Sequence, residues 1–490
     1  MRARLRIAAA AVLAAIFAAV AWTGASSGSA AGPGPPNVLL ILVDDQAMNS
    51  FTPQFMPNTY RWIVGPGTKL VDGLAAPPLC CPDRAGILTG QYPHNNGVFS
   101  NDPGYASLDG KHDTLPRWLD RAGYRTGFVG KWLNEATSAG PQPAPGWRYW
   151  FSYLGPVGYY RYFMSENGRR EWFGSTRSSY STDVFTRHAK RFIGSTGAKT
   201  PWFLWLAYNA PHDTQPALGS CGHTSAMPPT QGTFLRHGQV PLPIPPSYNE
   251  RDVSDKPSFV ATQPPIGATV RSHIQLRFDC AVATMWEVDR QIGKLMRWLK
   301  ERGELNNTII LYMSDNGFYF GEHRIVRGKT PPYEPGLRVP YAIKVPDAYQ
   351  GGSAPHVSSD VVTNEDVAPT ILDYAGGVQP CQGPRLCRTL DGRSLRPLLG
   401  GPGSFPPNRA ALAELNAPGA GNQYAAVRTR QYVYVEYVDG ERELYDLRRD
   451  PFEKQNVAND PSYASIETQL AQKLGHLRRC AGTHGAHPCL

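Results

Sequence analysis

The chain has 490 residues, of which 41% are hydrophobic and 18% charged, and its formal net charge is +9 at pH 7. This length predicts one large α/β domain with an appendage or several smaller domains, and the composition is too apolar for a disordered protein. The positive charge is mild and contains no block of Lys and Arg, which favours anionic substrates and argues against a nucleic-acid partner.

The N-terminus has the pattern of a secretory signal. Three arginines lie within the first six residues, an apolar stretch follows at 7–22, and small residues at 28–31 suit a signal peptidase. We therefore expect residues 1–31 to be a signal peptide, 32–36 to be a Gly/Pro linker, and the protein to be secreted. Without the three arginines the net charge falls from +9 to +6. The apolar stretch is short for a membrane span, so an uncleaved anchor is the less favoured alternative.

Four short apolar runs follow, and each breaks off into polar residues. Residues 37–43 precede Asp44 and Asp45, residues 125–130 precede Lys131, residues 201–208 precede Asn-Ala-Pro and His212, and residues 308–313 precede Ser314, Asp315 and Asn316. Continuous apolar runs are typical of strands buried on both faces, and amphipathic helical patterns lie between these runs. The alternation predicts an α/β fold with a large, mostly parallel sheet between helices. The polar residues would then share one crevice at the carboxyl ends of the strands.

A Gly/Pro-rich segment at 400–403 divides this pattern from the rest of the chain. Strand-like segments and an amphipathic helix at 463–479 follow it. We predict a catalytic domain at 37–400 and a C-terminal α+β subdomain at 401–490, made of a small antiparallel sheet with a helix packed on it.

Cys80 begins the sequence Cys-Cys-Pro-Asp-Arg, which is followed by Ala-Gly-Ile-Leu-Thr-Gly. Cys-x-Pro-x-Arg is the pattern for conversion of cysteine to formylglycine, and the whole stretch resembles the signature of type I sulfatases. In a hydrated aldehyde, one hydroxyl can attack sulfur, and deprotonation of the other then expels sulfate and restores the aldehyde. A pair of buried thiols in a tight loop is the alternative interpretation.

Two further groups of residues fit this chemistry. Four hard oxygen donors and an oxygen on the modified Cys80 would suit Ca²⁺, or less well Mg²⁺, whereas Zn²⁺ would attract histidine or thiolate. Four cationic or ionisable groups could hold a sulfate ester and stabilise its developing charge. The donors are Asp44, Asp45, Asp315 and Asn316, and the anion-binding candidates are Arg84, Lys131, His212 and Lys329.

These motifs occur in the order found in a known family. From residue 37 to about 458 the chain resembles a type I sulfatase of the alkaline-phosphatase-like superfamily. The resemblance implies that the four oxygen donors hold Ca²⁺ and that Cys80 is the formylglycine nucleophile, in contact with the metal. It implies that Arg84 and Lys131 steady the hydrate, that His212 and Lys329 bind sulfate and help protonate the leaving oxygen, and that Asp315 accepts the proton of the attacking hydroxyl. It also implies a formylglycine-generating enzyme as a partner during maturation.

The sequence differs from the common sulfatase pattern at two places. Leu133 and Asn134 follow Lys131-Trp132, where many sulfatases have a histidine that assists sulfate release. Lys-x-Leu-Asn, the doubled cysteine and Tyr-Pro-His-Asn at 92–95 are similar to N-acetylglucosamine-6-sulfatases and extracellular endosulfatases. His94 and His323 are therefore candidates for substrate binding or sulfate release. Asp83 stands where serine is frequent, and we expect it to point away from the pocket.

With Cys80 reserved for modification, the other cysteines can form disulfides in an exported protein. Cys381 with Cys387 and Cys480 with Cys489 are close enough in sequence to bridge, and Cys221 with Cys280 is a third candidate pair. Cys81 would then be left over and buried. The sequence does not decide this connectivity.

Three functions remain open at this point. The first is a secreted sulfatase acting on sulfated sugars, such as 6-O-sulfated N-acetylglucosamine, or on aryl sulfates. The second is a phosphonate or phosphate ester hydrolase of the same superfamily, and the third is a catalytically silent glycan-binding protein. Several aromatic residues would supply stacking platforms for a sugar or, alternatively, pack in the core. They are Trp147, Tyr149, Trp150, Tyr159 and Tyr160.

Overall fold

A computed structural model describes residues 34–134, 142–197, 199–214, 221, 226–350, 356–383, 386–399, 403–419 and 421–489. The predicted signal peptide, residues 32 and 33 of the predicted linker and the predicted boundary at residue 400 lie outside these ranges. Residues Pro35–Leu490 form one unit. Within the described ranges, no helix combines the length and the apolar character needed to cross a membrane.

The strands alternate with helices along the first two thirds of the unit. The strands are β1 (Asn37–Asp44), β2 (Thr68–Leu70), β3 (Gly73–Leu74), β4 (Arg125–Gly130), β5 (Tyr149–Tyr153), β6 (Tyr162–Glu166), β7 (Arg169–Phe173), β8 (Trp202–Pro211), β9 (Thr308–Ser314), β10 (Tyr341–Lys344), β11 (His356–Ser358), β12 (Val362–Thr363), β13 (Cys381–Gly383), β14 (Leu386–Cys387), β15 (Ala410–Asn416), β16 (Gln423–Thr429), β17 (Tyr432–Tyr437) and β18 (Arg442–Asp446). The α-helices are α1 (Pro57–Thr59), α2 (Cys80–Thr89), α3 (Pro93–Asn96), α4 (Leu115–Arg121), α5 (Ser181–Gly194), α6 (Gln231–His237), α7 (Ser258–Ala261), α8 (Ala268–Glu301), α9 (Glu334–Leu337), α10 (Asp347–Gln350), α11 (Val367–Tyr374), α12 (Arg396–Leu399) and α13 (Ala464–Leu477).

Ten strands form one sheet in the order β11-β2-β10-β9-β1-β8-β4-β5-β6-β7. The central strands β9, β1, β8, β4 and β5 are parallel, and antiparallel pairs occur towards both edges. The predicted class, a large and mostly parallel sheet, is therefore confirmed. The antiparallel ribbon of β5, β6 and β7 extends the sheet in a region where no strand is predicted from the sequence.

Strand β1 shows why the sheet is buried on both faces. Val38, Leu40 and Leu42 belong to the core on one side, and the alternate residues Leu39 and Ile41 belong to the core on the other. The first core also contains side chains of α2, α4 and α11, and the second contains side chains of α5 and α8. Two helical layers thus cover an apolar sheet, since successive side chains of a strand point to opposite faces.

The C-terminal strands β15, β16, β17 and β18 form a separate antiparallel sheet in sequence order. One face, with Ala413 and Val435, packs on Tyr333 and Leu337 of the first part of the chain, and the other packs on Leu470 and Leu474 of α13. The predicted small sheet with a helix is confirmed, and β15 is a strand that the sequence did not reveal.

The structure contains the disulfides Cys221–Cys280, Cys381–Cys387 and Cys480–Cys489, which are the three pairs named from the sequence. Cys80 and Cys81 are both free and buried.

Candidate active site

The four polar segments lie side by side because their strands do. Strands β9, β1, β8 and β4 are consecutive in the sheet and parallel, so Asp315, Asp44, His212 and Lys131 emerge at the same edge. This is the position at which open α/β sheets bind ligands. Helix α2 begins at Cys80 on this edge.

Two lysine side chains converge on the Cys80 sulfur. The Nζ atom of Lys131 lies 3.3 Å from Sγ, and the Nζ atom of Lys329 lies 3.0 Å from it. Each lysine also forms an ion pair with an aspartate, Lys131 with Asp44 and Lys329 with Asp45. Cys80 sits at the first turn of α2, whose free backbone N–H groups favour negative charge. The arrangement therefore places ammonium groups and free backbone N–H groups around residue 80, which would suit an anionic group there.

Arg84 lies one turn further along α2 and is completely buried. Its Nε donates to Asp315 Oδ2 at 2.9 Å, Nη2 lies 2.8 Å from the same oxygen and 3.5 Å from Asp44 Oδ2, and a third guanidinium nitrogen donates to the Lys131 carbonyl. Because one guanidinium bridges the ends of β9, β1 and β4, it fixes the relative positions of the groups around Cys80.

Asp45 and Asn316 complete the cluster on the other side. Asn316 Nδ2 donates to Asp45 Oδ1 at 2.7 Å, and the backbone N–H of Asp45 donates to Asp315 Oδ1 at 3.3 Å. The ligand atoms of Asp44, Asp45, Cys80 and His212 all lie within 4.8 Å of one another, which is compact enough to hold a metal ion. Among the described residues, the buried Oδ1 of Asn316 has no hydrogen-bond partner.

Burial and charge shift the pKa values of these groups in different directions. Burial opposes ionisation of Asp44, but Lys131, His212 and Arg84 outweigh it and hold the pKa of Asp44 below its usual range. Burial, reinforced by the charge of Asp44, raises the pKa of Asp315 despite Arg84. Burial also raises the pKa of the Cys80 thiol to about 11. An unmodified thiol at this position would therefore be protonated at neutral pH, and a protonated thiol is a poor nucleophile.

His212 faces the cluster from the end of β8. Its Nε2 lies 3.8 Å from Asp45 Oδ2, and its Nδ1–H donates to the backbone carbonyl of Asp213 at 2.5 Å. The buried Tyr159 donates its hydroxyl proton to the His212 carbonyl at 3.0 Å. Both the backbone and the ring of His212 are thus held in place.

The structure does not bring His94 or His323 into the cluster. His94 contacts Glu414 Oε2 at 2.7 Å and the Cys480 carbonyl at 2.9 Å, so both ring nitrogens are engaged with the C-terminal part of the chain. His323 is fully buried, with Nδ1 2.8 Å from Glu250 Oε2 and its ring beside Tyr333. Both rings are therefore engaged outside the Cys80 cluster, and a part for either histidine in substrate binding or sulfate release stays a prediction.

Asp83 and the aromatic candidates also have defined positions. Both carboxylate oxygens of Asp83 accept from Asn364 Nδ2, at 2.8 and 2.9 Å, behind α2. Trp147, Tyr149, Trp150 and Tyr159 are buried, and their rings pack against core residues such as Phe128 and Phe192. The interpretation of these aromatic residues as core is therefore correct, and that of a stacking platform is wrong for these four. Tyr160 is only partly buried, and its hydroxyl donates to the Pro229 carbonyl.

Three polar residues near the cluster were not recognised from the sequence. Asn101 Oδ1 accepts from the Cys81 backbone N–H at 2.9 Å, and Asp213 forms an ion pair with Arg327. The only available signal was proximity, since Asp213 follows His212 directly and Arg327 lies two residues before Lys329.

Comparison with known proteins identifies the family. Residues 36–378 match the sequence model of the Sulfatase family, and residues 321–480 match the model described as N-sulphoglucosamine sulphohydrolase, C-terminal. Since the first match covers more than half of the chain, the chain belongs to the sulfatase family. The resemblance to alkaline-phosphatase-like sulfatases is thereby confirmed.

Individual relatives agree with this assignment. The chain is 30% identical to the N-acetylglucosamine-6-sulfatase of Homo sapiens, over 93% of this chain and 86% of that protein. It is 32% identical to an extracellular sulfatase SULF-1 homolog of Drosophila melanogaster over 74% of this chain, and it spans only 31% of that relative's length. A solved structure of a protein in complex with its substrate D-glucosamine-2-N,6-O-disulfate superposes with a TM-score of 0.75 at 25% identity, covering 91% of this chain and 98% of the other.

Proposed function

We propose that the protein is a secreted sulfatase that hydrolyses sulfate esters through a formylglycine made from Cys80. The observation that carries the proposal is the environment of Cys80, at the first turn of α2, with Lys329 and Lys131 ammonium groups 3.0 and 3.3 Å from its sulfur. Such fixed positive charges suit an anionic ester and the charge that develops when it is cleaved. Membership of the sulfatase family supports the same chemistry.

Each residue of the cluster has a role in this proposal. The formylglycine hydrate supplies an oxygen nucleophile with its own route for releasing sulfate. Lys131 and Arg84 hold the group at position 80, and Asp315 accepts the proton of the attacking hydroxyl. Lys329 and His212 bind sulfate oxygens, and His212 donates a proton to the leaving oxygen.

Asp44, Asp45, Asp315 and Asn316 would hold a divalent cation, which we propose to be Ca²⁺. The fit rests on their buried oxygens, among which Asn316 Oδ1 has no hydrogen-bond partner in the described part of the chain. Conversion of Cys80 replaces a sulfur ligand by oxygen, so the set becomes one of hard donors that favours Ca²⁺ or Mg²⁺ over Zn²⁺. The bound cation would supply positive charge next to position 80 and help to orient the group there.

Thermal unfolding tests the metal directly, without the need for activity. Ca²⁺ at about a hundred times its Kd should stabilise the protein by about 3 kcal/mol, because it binds only the folded state. Asn316→Ala should abolish most of this shift, whereas Asn306→Ala, in the short 3-10 helix at Leu305–Asn307 before β9, should leave it unchanged. Equal stabilisation of the wild type and Asn316→Ala by Ca²⁺ would remove Asn316 from the site.

The substrate that we propose is a sulfated sugar of the N-acetylglucosamine-6-sulfate type. The sequence Lys-Trp-Leu-Asn at 131–134 supports this choice, and so do the relatives named N-acetylglucosamine-6-sulfatase at 30% identity. The structure whose substrate is a 6-O-sulfated glucosamine supports it further.

Mass spectrometry and a substrate panel together test the function. We expect an aldehyde at position 80 in protein secreted by a host that has the generating enzyme, and turnover of N-acetylglucosamine-6-sulfate that Cys80→Ala abolishes without loss of folding. Faster cleavage of matched phosphonate or phosphate esters would replace the sulfatase assignment by that of the other hydrolase. An unmodified thiol together with sugar binding but no turnover would indicate the catalytically silent protein.

A further inference from the structure

The loops that carry His212 and Lys329 are joined by an ion pair. Asp213 follows His212 at the end of β8, and Arg327 precedes Lys329 by two residues. An Arg327 guanidinium nitrogen contacts Asp213 Oδ2, although the two residues are 114 positions apart in the chain. Arg327 is 45% exposed and Asp213 only 14%, so the carboxylate is held near the protein surface by a cation that partly screens it from solvent.

The same aspartate contacts the ring of His212 twice. Its backbone carbonyl accepts the Nδ1–H of His212, and its Oδ1 lies 3.5 Å from the same nitrogen. A carbonyl oxygen can only accept, so Nδ1 carries a proton whichever form the ring takes. Nε2, which would carry a further proton when His212 acts as the acid of the proposed function, is the atom directed towards Asp45 and the cluster. A hydrogen bond at one ring nitrogen fixes what the other nitrogen can do.

The loop of Arg327 is anchored from a second direction. Arg277 of α8 donates to the Val326 carbonyl at 2.8 Å, which ties this loop to the helix that covers one face of the sheet. The Asp213 carboxylate therefore connects His212 to a segment that is already fixed to the core. Lys329, which contacts Cys80, belongs to that segment.

We propose that Asp213 and Arg327 are positioning residues, which keep Nε2 of His212 and the ammonium group of Lys329 correctly placed relative to each other across the anion site. This inference rests on the proposed function, because the register matters when His212 protonates a leaving oxygen while Lys329 holds the sulfate. Neither residue touches the reacting atoms. Their effect is to keep two groups, brought from distant parts of the chain, aligned with one ester.

A double-mutant cycle of Asp213→Asn and Arg327→Gln tests this role with two esters. An alkyl ester such as N-acetylglucosamine-6-sulfate needs protonation of its leaving oxygen, whereas 4-nitrophenyl sulfate scarcely does. Each single variant should lower kcat/KM on the sugar ester about tenfold, a part of what general acid catalysis contributes, and on the aryl ester by less than about threefold. The loss of kcat/KM on the sugar ester should be no larger in the double variant than in either single variant, because both substitutions remove the same contact.

Two features separate positioning from simpler effects. Asp213→Asn removes a negative charge and Arg327→Gln a positive one, so a through-space effect on the anion would have opposite signs in the two variants. Arg442→Gln is a matched control, since Arg442 is 49% exposed and its partner Glu467 is 14% exposed. Additive losses, equal losses on both esters, or losses no greater than that of the control would overturn the proposal.

Hydrogen–deuterium exchange gives a readout that does not depend on turnover. Backbone amides at 209–214 and 323–329 should exchange faster in both single variants than in the wild type. In the double variant they should exchange no faster than in the single variants. If the wild type cleaves no sulfate ester, the proposed function fails, and the exchange still decides whether the ion pair couples the two loops. Unchanged exchange in these segments would contradict the coupling itself.

Discussion

Each of the two lysines at Cys80 is shared between an aspartate and the sulfur. Lys131 is 5% exposed and paired with Asp44, and Lys329 is 12% exposed and paired with Asp45. The aspartates keep the ammonium groups charged and in place, while each still faces position 80. Charge that is already positioned needs no reorganisation when a reaction creates negative charge beside it.

Lys329→Ala should lower kcat for sulfate ester hydrolysis by about 10² to 10³, the scale observed when one preorganised electrostatic group is removed. Lys344→Ala is the control, because Lys344 is a partly buried lysine of β10 that donates to the Leu305 carbonyl. Steady-state kinetics of both variants make the comparison. A Lys329→Ala enzyme with the rate of the control would remove this residue from the sulfate site.

Glu365 provides a pH-dependent contribution to stability behind α2. It is completely buried beside Gly86, and burial raises its pKa to about 8. Between the ordinary glutamate pKa of 4.5 and about pH 8, Glu365 therefore keeps its proton in the folded state and loses it in the unfolded state. The stabilisation is complete below that ordinary pKa and is lost as the pH rises towards 8, with a slope of at most about 1.4 kcal/mol per pH unit.

Glu365→Gln, which cannot ionise, should remove this dependence. We expect the melting temperature of the wild type minus that of the variant to fall between pH 5 and 8 and to level off above pH 8. Differential scanning fluorimetry across this range measures it, with Glu436→Gln on the half-buried surface of β17 as the control. A constant difference between wild type and Glu365→Gln would show that Glu365 does not carry the proton.

At the scale of elements, the end of β4 depends on a glycine. Gly130 has a φ of +124°, and a Cβ there would lie 1.8 Å from the Ala207 carbonyl oxygen of β8. Any side chain would push these strands apart just before Lys131 turns towards Cys80. Since backbone atoms cannot give way as a flexible side chain can, the close approach requires glycine.

Gly130→Ala should cost about 3 kcal/mol or more and lower both the melting temperature and the activity. Gly123→Ala separates the effect of contact from that of conformation, because Gly123 has a φ of +90° but no atom within 4 Å of its Cβ position. That control should cost about 1 kcal/mol. Similar melting temperatures for the two variants would show that the strand contact is unimportant.

The sequence predicted the elements that alternate regularly and missed those that do not. The runs at β1, β4, β8 and β9 are continuous and apolar, and each ends at polar residues. The ends of these strands, and the edge of the sheet at which the polar residues meet, could therefore be predicted from the sequence. The ribbon β5–β7 is rich in aromatic residues with irregular polarity, and α8 begins at Ala268, before the apolar periodicity becomes clear at 284. In both cases tertiary packing, and not local pattern, decides the structure.

The candidate site shows the same division. Asp44 is the last residue of β1, and Lys131 and Asp315 directly follow β4 and β9, so topology alone brought them together. His94 and His323 were selected by their proximity to motifs in the sequence, yet the ring of His94 contacts Glu414 in the C-terminal part of the chain and the ring of His323 contacts the buried Glu250. Neighbours in sequence do not determine the direction of a side chain on a loop.

At the scale of the whole molecule, one arginine connects the small sheet to the rest. Arg428 of β16 is 4% exposed; its Nε donates to Glu334 Oε1 at 2.9 Å and its Nη2 to Asp72 Oδ1 at 3.2 Å. Removing the guanidinium would leave the Asp72 carboxylate without this cation, while Glu334 would keep only its more exposed partner Arg338, whose Nε lies 3.4 Å from Oε2. Breaking a buried pair in this way costs about 3 to 5 kcal/mol.

Arg428→Met should therefore lower the melting temperature of the entire unit, and calorimetry should still show one transition because Pro35–Leu490 form one unit. Arg396→Met, which removes a pair with 50% and 35% exposed partners, should have little effect. Two separate transitions in Arg428→Met would show instead that the small sheet unfolds on its own.

Several residues that enclose Cys80 in the folded protein are synthesised long after it. Lys329 is 249 residues beyond Cys80, so at 5 to 20 residues per second the ribosome needs about 12 to 50 seconds to add it. For most of that interval β9 and Asp315 do not yet exist, and Lys329 is missing throughout, so residue 80 cannot have the enclosure that leaves it 1% exposed in the finished protein. If Cys80 is converted as proposed, the converting enzyme would therefore have to reach it on the nascent or unfolded chain, before the fold closes over it.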